Sequence, residues 1–322
     1  MHDETLAVAN KAYEDGSYTE AINIYKSIAS NGNAIAQYNL GIMYVKGRGV
    51  IQNYVEAVKW FKLAAEQGEP NAQFNIGKSY SDGLGVVQDH TEAVKWYKLA
   101  AEQGDAGAQF NLGIKYDNGQ GVAQDYVEAV KWYKLAAEQG EANAQFNLGV
   151  RYFNGEGVIQ NFTEAVKLYK LAAAQGDARA QINLGNIYNR GQGVAQDYTE
   201  AHKWYKLAAT QGEVLAQCKL GNIFFKGNGV VQDYIEAARW FKLAAAQADV
   251  DAQSILASMY MFGQGVLQDY VKAHMWWNLS AAQGNIDAAE SRNVVAKRMT
   301  EQQIAEAQNL ARECLASNYE NC

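Results

Sequence analysis

Residues 105–140 read DAGAQFNLGIKYDNGQGVAQDYVEAVKWYKLAAEQG, and this stretch decides the fold. Asp105 is an N-cap type of residue, and it opens a helix expected to run to about Asp117. Ala108, Leu112 and Tyr116 recur four apart, which places them on one face of that helix. Gly119 suits the left-handed residue that ends a helix, and Gly121 a second position with positive φ. Val122 offers an apolar anchor for the loop. Asp125 and Glu128 then open a second helix as a D-x-x-E variant of the capping box, in which each side chain can reach the other's backbone N–H. Ala129, Trp132 or Tyr133, and Ala136 supply an apolar stripe, and Gly140 ends the helix. Lys131 and Lys134 lie toward the C-terminal half, where positive charge complements the helix dipole.

The same pattern is written seven times without a break in register. The pair Ala36-Gln37 returns at 72, 108, 144, 180, 216 and 252, always 36 residues on. Gly47-x-Gly49-Val50-x-Gln52 returns in step, ending at Gly263-x-Gly265-Val266-x-Gln268. Trp60, Trp96, Trp132, Trp204, Trp240 and Trp276 share one slot, read as core, with Leu168 standing in once. A lone helix pair cannot bury both of its stripes, so neighbouring copies must stack to share a core. Gly41, Gly77 and Gly113 fall inside first helices. Each costs about 1 kcal/mol against alanine there, which close helix approach explains. Both ends depart from the pattern. Tyr18, Glu20-Ala21 and Gly32 keep register with Tyr54, Glu56-Ala57 and Gly68, but the long loop is missing after Gly16. At the other end the slots of Leu256 and Ala257 become Arg292 and Asn293, while Thr300 and Gln303 form a capping box before a helix over about 301–317. The expected organisation is a shortened capping repeat over 1–33, seven repeats over 34–285 and capping helices over 286–322.

Composition agrees with an all-α chain. There is one proline in 322 residues, and helix interiors exclude proline. A hydrophobic fraction of 48% with 20% charged residues excludes wholesale disorder. The formal net charge of −7 argues against nucleic acid, whose binders carry a basic face. No apolar run approaches the roughly 18 residues of a membrane span, so no membrane insertion is expected. Met1-His2-Asp3-Glu4 lacks the basic start and apolar stretch of a secretory signal, which favours the cytoplasm unless a signal has been removed.

Chemical sites are sparse. The third glycine of a G-x-G-x-x-G phosphate loop is glutamine at Gln52, Gln88 and their equivalents, so the loops read as structural. His2, His90, His202 and His274 lie in different copies without an H-x-x-x-H spacing, and no metal site is expected. His90 stands where Tyr54 and Tyr126 stand, which gives it a packing role. Cys218, Cys314 and Cys322 fit neither a zinc site nor a paired disulfide ladder. Cys218 shares a slot with Phe110, Phe146 and Ile182 and reads as a small buried apolar residue. Neither S-x-x-K nor G-x-S-x-G occurs. No cofactor is expected.

The segments Ala-Gln-Phe-Asn-Leu-Gly, G-x-G-V-x-Q and Glu-Ala-x-Lys-Trp-Tyr-Lys-Leu-Ala-Ala-x-Gln-Gly closely resemble the Sel-one-like repeat family, the loop-extended relative of tetratricopeptide repeats. The resemblance covers roughly residues 5–320, and the near-uniform copies look like the bacterial branch. It implies an all-α fold, a right-handed α-solenoid of tandem 36-residue helix-turn-helix repeats. It also implies an adaptor or scaffold whose partner is another protein or a peptide segment. The disulfide-stapled relatives carry cysteine pairs that this chain lacks.

Function is then expected on the first helices. At about 100° per residue, positions 38, 39, 42, 45 and 46 fall opposite the packed side marked by Ala36, Leu40 and Tyr44. Copies differ most there, and recognition needs differences where packing needs sameness. Phe153, Asn186, Asn189 and Asn222 are variable members of this arc. One slot is polar and uniform, with Asn39, Asn75, Asn111, Asn147 and Asn183 before Lys219 and Ile255 break it. A carboxamide both donates and accepts, which suits the backbone of an extended peptide. An alternative is that each asparagine bonds a neighbouring helix or loop. Phe74, Phe110 and Phe146 beside them suit either a groove or packing between copies. The chain is thus expected to be a monomeric, non-enzymatic scaffold with Asn111 and Asn147 gripping a partner's backbone. The competing reading, an enzyme or an accessory domain with weak hydrolase activity, lacks a nucleophile–base pair in the sequence.

Overall fold

A computed structural model describes residues 2–319 and 322, with His2 and Asp3 described by their backbone alone. Among the described residues there are eighteen α-helices and no strand. None of these helices is long and apolar enough to cross a membrane. The chain divides into two compact units, residues 1–168 and 169–322.

The first unit holds α1 (His2–Glu14), α2 (Tyr18–Ser30), α3 (Ala34–Lys46), α4 (Tyr54–Glu66), α5 (Pro70–Asp82) and α6 (His90–Glu102). It continues with α7 (Ala106–Asn118), α8 (Tyr126–Glu138) and α9 (Ala142–Asn154), and α10 (Phe162–Ala174) crosses into the second unit. Within a repeat α3 packs on α4, α5 on α6 and α7 on α8; between repeats α4 meets α5, α6 meets α7 and α8 meets α9. The single proline, Pro70, occupies the first turn of α5, where its missing N–H costs nothing. Asn33, Glu69 and Asp105 cap first helices through the N–H of Ala36, Ala72 and Ala108.

The loop is short because glycine permits it. Gly121 has φ +78°, and a Cβ there would lie 2.2 Å from the carbonyl oxygen of His90 in the preceding repeat. That contact lets the loop of one repeat sit on the second helix of the one before. In mid-helix, a Cβ on Gly113 would meet the Tyr133 ring at 2.6 Å, so α7 and α8 approach as closely as the glycine suggested.

Two expectations need correction here. The D-x-x-E motif forms only half a capping box. Asp125 Oδ1 accepts from the N–H of Val127 and Glu128, but the N–H of Asp125 already donates to the Tyr116 carbonyl at 2.9 Å. Glu128 is therefore left for Lys131, three residues on. Likewise the tryptophan slot is not the centre of its own repeat. Phe61, Tyr97 and Tyr133, one position later, are the fully buried rings. Trp60, Trp96 and Trp132 are half-buried, and each packs on the cluster formed by the preceding second helix and its own first helix. They join copies rather than fill them.

The second unit contains α11 (Ala178–Arg190), α12 (Tyr198–Thr210), α13 (Val214–Lys226), α14 (Tyr234–Ala245), α15 (Val250–Phe262) and α16 (Tyr270–Ala282). It ends with α17 (Ile286–Ala296) and α18 (Glu301–Ala316), both packed on α16. Here Tyr205, Phe241 and Trp277 take the buried ring slot, with Trp240 and Trp276 also buried. Thr300 and Gln303 form the reciprocal capping box expected of them. Ala248 takes φ +63° at a slot where Gly212 and Gly284 stand in the flanking copies, a strained place for a residue with a Cβ. The cysteine reading is corrected at one point, since Cys314 and Cys322 form a disulfide. Asn318 and Tyr319 adopt positive φ after α18, and the chain turns back until the two Cα atoms are 5.1 Å apart.

Candidate functional site

The first helices carry two polar series, and their geometry separates structure from recognition. Gln37, Gln73 and Gln109 are buried, and each side-chain amide donates to a carbonyl of the preceding second helix, that of Ala29, Ala65 or Ala101. Their Oε1 atoms accept from Gln67, Gln103 and Gln139 at the ends of the following second helices, at 2.7–2.8 Å. The second unit repeats this with Gln211 on Gln181, Gln247 on Gln217 and Gln283 on Gln253. A buried amide must be paired. The invariant Ala-Gln pair is therefore a hydrogen-bond ladder between copies. The sequence gives it as a marker of register and leaves its role unassigned. The loop glutamines are structural too. Gln88 and Gln124 donate to the Ser81 and Asp117 carbonyls at 2.7 Å, which ties the end of each loop to its first helix.

The asparagine series behaves differently from slot to slot. All of Asn39, Asn75, Asn111, Asn147 and Asn183 are half-buried. Asn75 and Asn111 donate to their own helix, to the carbonyls of Asn71 and Gly107 four residues back, at 2.7 and 2.8 Å. Their Oδ1 atoms accept no hydrogen bond among the described residues. Asn39 instead donates to Asn10 at 3.3 Å beside the Tyr25 hydroxyl, and Asn147 hydrogen-bonds the Tyr133 hydroxyl. The neighbouring rings pack: Phe74 lies on Tyr97 and Phe110 on Tyr133, with centroids 5.9 and 6.1 Å apart.

The variable members spread over both units. In the first, Phe153 is held edge-to-face on Phe162 at 5.2 Å, so its ring props the loop. In the second, Asn186 accepts from the Tyr205 hydroxyl at 2.8 Å, and Asn222 donates to the Cys218 carbonyl at 3.0 Å. Asn189, Lys219 and Asn222 line one recess of about 270 Å³ together with Lys226. Lys219 and Asn222 also border a cavity of about 380 Å³ between α13, α15 and the start of α17. Ten positions spaced along the chain thus resolve into separate groups, of which this trio is one.

Two charged nodes stand inside the first unit, in a slot outside the arc that the sequence singles out for recognition. Lys115 occupies the slot of Met43 with only 5% of its surface exposed. Its ammonium donates to Ser81 Oγ at 2.9 Å and Gln120 Oε1 at 3.3 Å, and lies 3.2 Å from His90 Nδ1. Burial pulls its pKa down, against the attraction of Asp82. Serine beside a depressed lysine has the members of a nucleophile–base pair, but the buried ammonium is enclosed by its own partners. One copy further on, Arg151 lies 3.3 Å from Asp117 and stacks over the Tyr126 ring at 5.1 Å. Burial raises the Asp117 pKa more than Arg151 lowers it. Both nodes sit between successive repeats and serve to join them.

The Sel1 repeat model matches seven consecutive segments: 34–69, 70–105, 106–141, 142–177, 178–213, 214–249 and 250–285. Among solved structures, a Sel1 repeat protein from Oxalobacter formigenes is 34% identical, with 90% of this chain and 85% of that chain covered and a TM-score of 0.70. The protective antigen c5321, present in uropathogenic Escherichia coli strains and displaying an SLR fold, is 29% identical. There 99% of this chain and 85% of that one are covered, with a TM-score of 0.57. No curated protein matches the chain.

Proposed function

This chain belongs to the Sel1 repeat family, and we propose that it is a non-catalytic scaffold that holds an extended segment of a partner protein along its first helices. Sel1 repeat solenoids generally serve as protein-interaction scaffolds. The observation that carries the finer reading is the state of Asn75 and Asn111. Each spends an amide hydrogen on its own helix and leaves its side-chain carbonyl oxygen without a partner among the described residues. Such oxygens at a regular spacing can accept backbone N–H groups irrespective of the partner's side chains. Variable neighbours then supply choice. Asn39 and Asn147 contribute less, because each already bonds a neighbouring side chain.

The test is the double variant Asn75→Ala, Asn111→Ala, measured for affinity and melting together once crosslinking has identified a partner. Two neutral hydrogen bonds at about 0.5–1.5 kcal/mol each give roughly a five- to hundredfold loss of affinity. Melting should hold, because alanine is the better helix former. Unchanged affinity removes these residues from the site.

A further inference from the structure

One slot of the first helices controls the space between neighbouring copies. In the first unit Tyr38, Phe74 and Phe110 fill it, each ring tilted against a buried ring of the second helix. The Phe74 ring also reaches the next first helix, 3.2 Å from where a Cβ on Gly107 would lie. At α13 and α15 the slot shrinks to Cys218 and Ser254. The cavity of about 380 Å³ opens beside both of them. It adjoins, at Asp287, a second cavity of about 490 Å³ whose wall includes Met261, Trp277 and the exposed Phe262 and Val294.

The charge around these cavities is one-sided. Asp249, Asp251 and Asp287 face the lone ammonium of Lys219 in the first, and Asp287 and Glu290 face no cation in the second. Asp249 is occupied in capping α15 through the Ala252 N–H. Asp251, Asp287 and Glu290 form no ion pair among the described residues. On the second helices of this unit the recurrent glutamates are paired, Glu200 with Lys203 and Glu236 with Arg239. Asp251, Asp287 and Glu290 are exposed at the rims of the cavities, and unpaired carboxylates gathered there give the surface a negative potential. Burial first, then Asp249 and Asp251, push the Cys218 thiol up to about 12. No three Asp, Glu, His or Cys side chains among the described residues converge as metal ligands would. The carboxylates are instead spread along the cavities, as suits an organic cation.

We propose that the paired cavities between α13, α15 and α17 dock a partner segment in which an arginine or lysine is flanked by apolar residues. The cationic side chain enters beside Ser254 toward Asp251 and Asp287, and an apolar neighbour covers Phe262 and Val294. This rests on the scaffold reading above and gives the partner its chemistry.

The full chain is titrated by fluorescence anisotropy with three labelled peptides in one glycine–serine frame. The first carries arginine between leucines; the others carry glutamine or glutamate in its place. The arginine peptide should bind at least about tenfold more tightly than the glutamine peptide, as befits hydrogen bonds to charged groups, and weaken with salt. The glutamate peptide should bind weakest. Asp251→Asn with Asp287→Asn should bring the arginine peptide level with the glutamine one. Ser254→Phe, which restores the ring of the first-unit copies, should abolish binding without lowering the melting temperature. An arginine preference that survives both changes overturns the proposal, as does failure of all three peptides to bind. Equal binding of the three peptides also overturns it, while the wider scaffold reading stands. Binding lost in Asn75→Ala, Asn111→Ala but kept in Ser254→Phe moves the site to the first unit.

Discussion

In the first unit Phe74 and Phe110 close the space beside the Ala-Gln ladder, whereas in the second Cys218 and Ser254 leave it open, although the ladder itself is unchanged. Gln109 and Gln253 make the same two contacts in the two units. The difference separates two tasks. Stacking is carried by a buried polar contact that every copy keeps. The adjacent ring adds packing, and a copy that gives it up gains a recess. Departures from the repeat therefore cluster: Cys218, Lys219, Ala248, Ser254 and Ile255 fall within two successive copies.

The sharpest way to break this comparison is to impose the second unit's slot on the first. Phe110→Ser should cost about 3 kcal/mol, since the ring contacts the buried Tyr133 and serine cannot replace them. Chemical denaturation measures the loss, and hydrogen exchange should place it in α7 and α8. A variant as stable as the parent would mean that the ladder alone holds the copies together. The ladder gives the next largest effect. Gln109→Leu and Gln253→Leu each remove two hydrogen bonds, one to the Ala101 or Ala245 carbonyl and one from Gln139 or Gln283, at about 0.5–1.5 kcal/mol each. The two losses should be equal within error. A much smaller loss at Gln253 would show that the open slot has already weakened the contact there.

What the sequence made legible follows from how far each contact reaches. Helix pairs, N-caps and the left-handed ends at Gly119 and Gly121 rest on neighbours a few residues away, and all are where the pattern places them. The role of Gln109 depends on Ala101 and on Gln139, 30 residues on, so it shows in the sequence only as repetition. Trp132 and Tyr133 are adjacent and both aromatic, yet Trp132 packs toward the preceding copy and Tyr133 toward the following one. The Cys314–Cys322 bond needs a chain reversal at Asn318 and Tyr319, residues that carry no glycine signal for it. The cavity was not legible, since Cys218 reads in the sequence as a small buried side chain, whereas it is half-buried on the cavity wall. Asn75 and Asn147 look alike in the sequence, yet a tyrosine hydroxyl is within reach of only the second.

The smallest effect expected concerns a second slot on which the units differ. Met43 begins the series, Ser79, Lys115 and Arg151 follow in the first unit, and Ile187, Ile223 and Met259 are apolar in the second. If the charged residues are packing substitutions, Lys115→Met should be tolerated. It should stabilise the chain by about 1 kcal/mol near neutral pH, because a buried charge is replaced by an apolar side chain of similar length. The pH dependence tests the cost of burying the charge. Burial lowers the folded-state pKa of Lys115 below its ordinary 10.5. Between the two values the unfolded chain binds the extra proton, so this group makes the parent more stable as pH rises through that window. The methionine variant lacks that slope. Its advantage should be greatest below the lowered pKa and shrink as pH approaches 10.5. Denaturation of both chains from neutral to alkaline pH reads the difference directly, and changes common to both, such as tyrosine ionisation, cancel. A variant that is less stable at neutral pH would mean that Ser81, His90 and Gln120 repay the burial of the ammonium, and the first unit would then owe part of its stability to a polar node absent from the second.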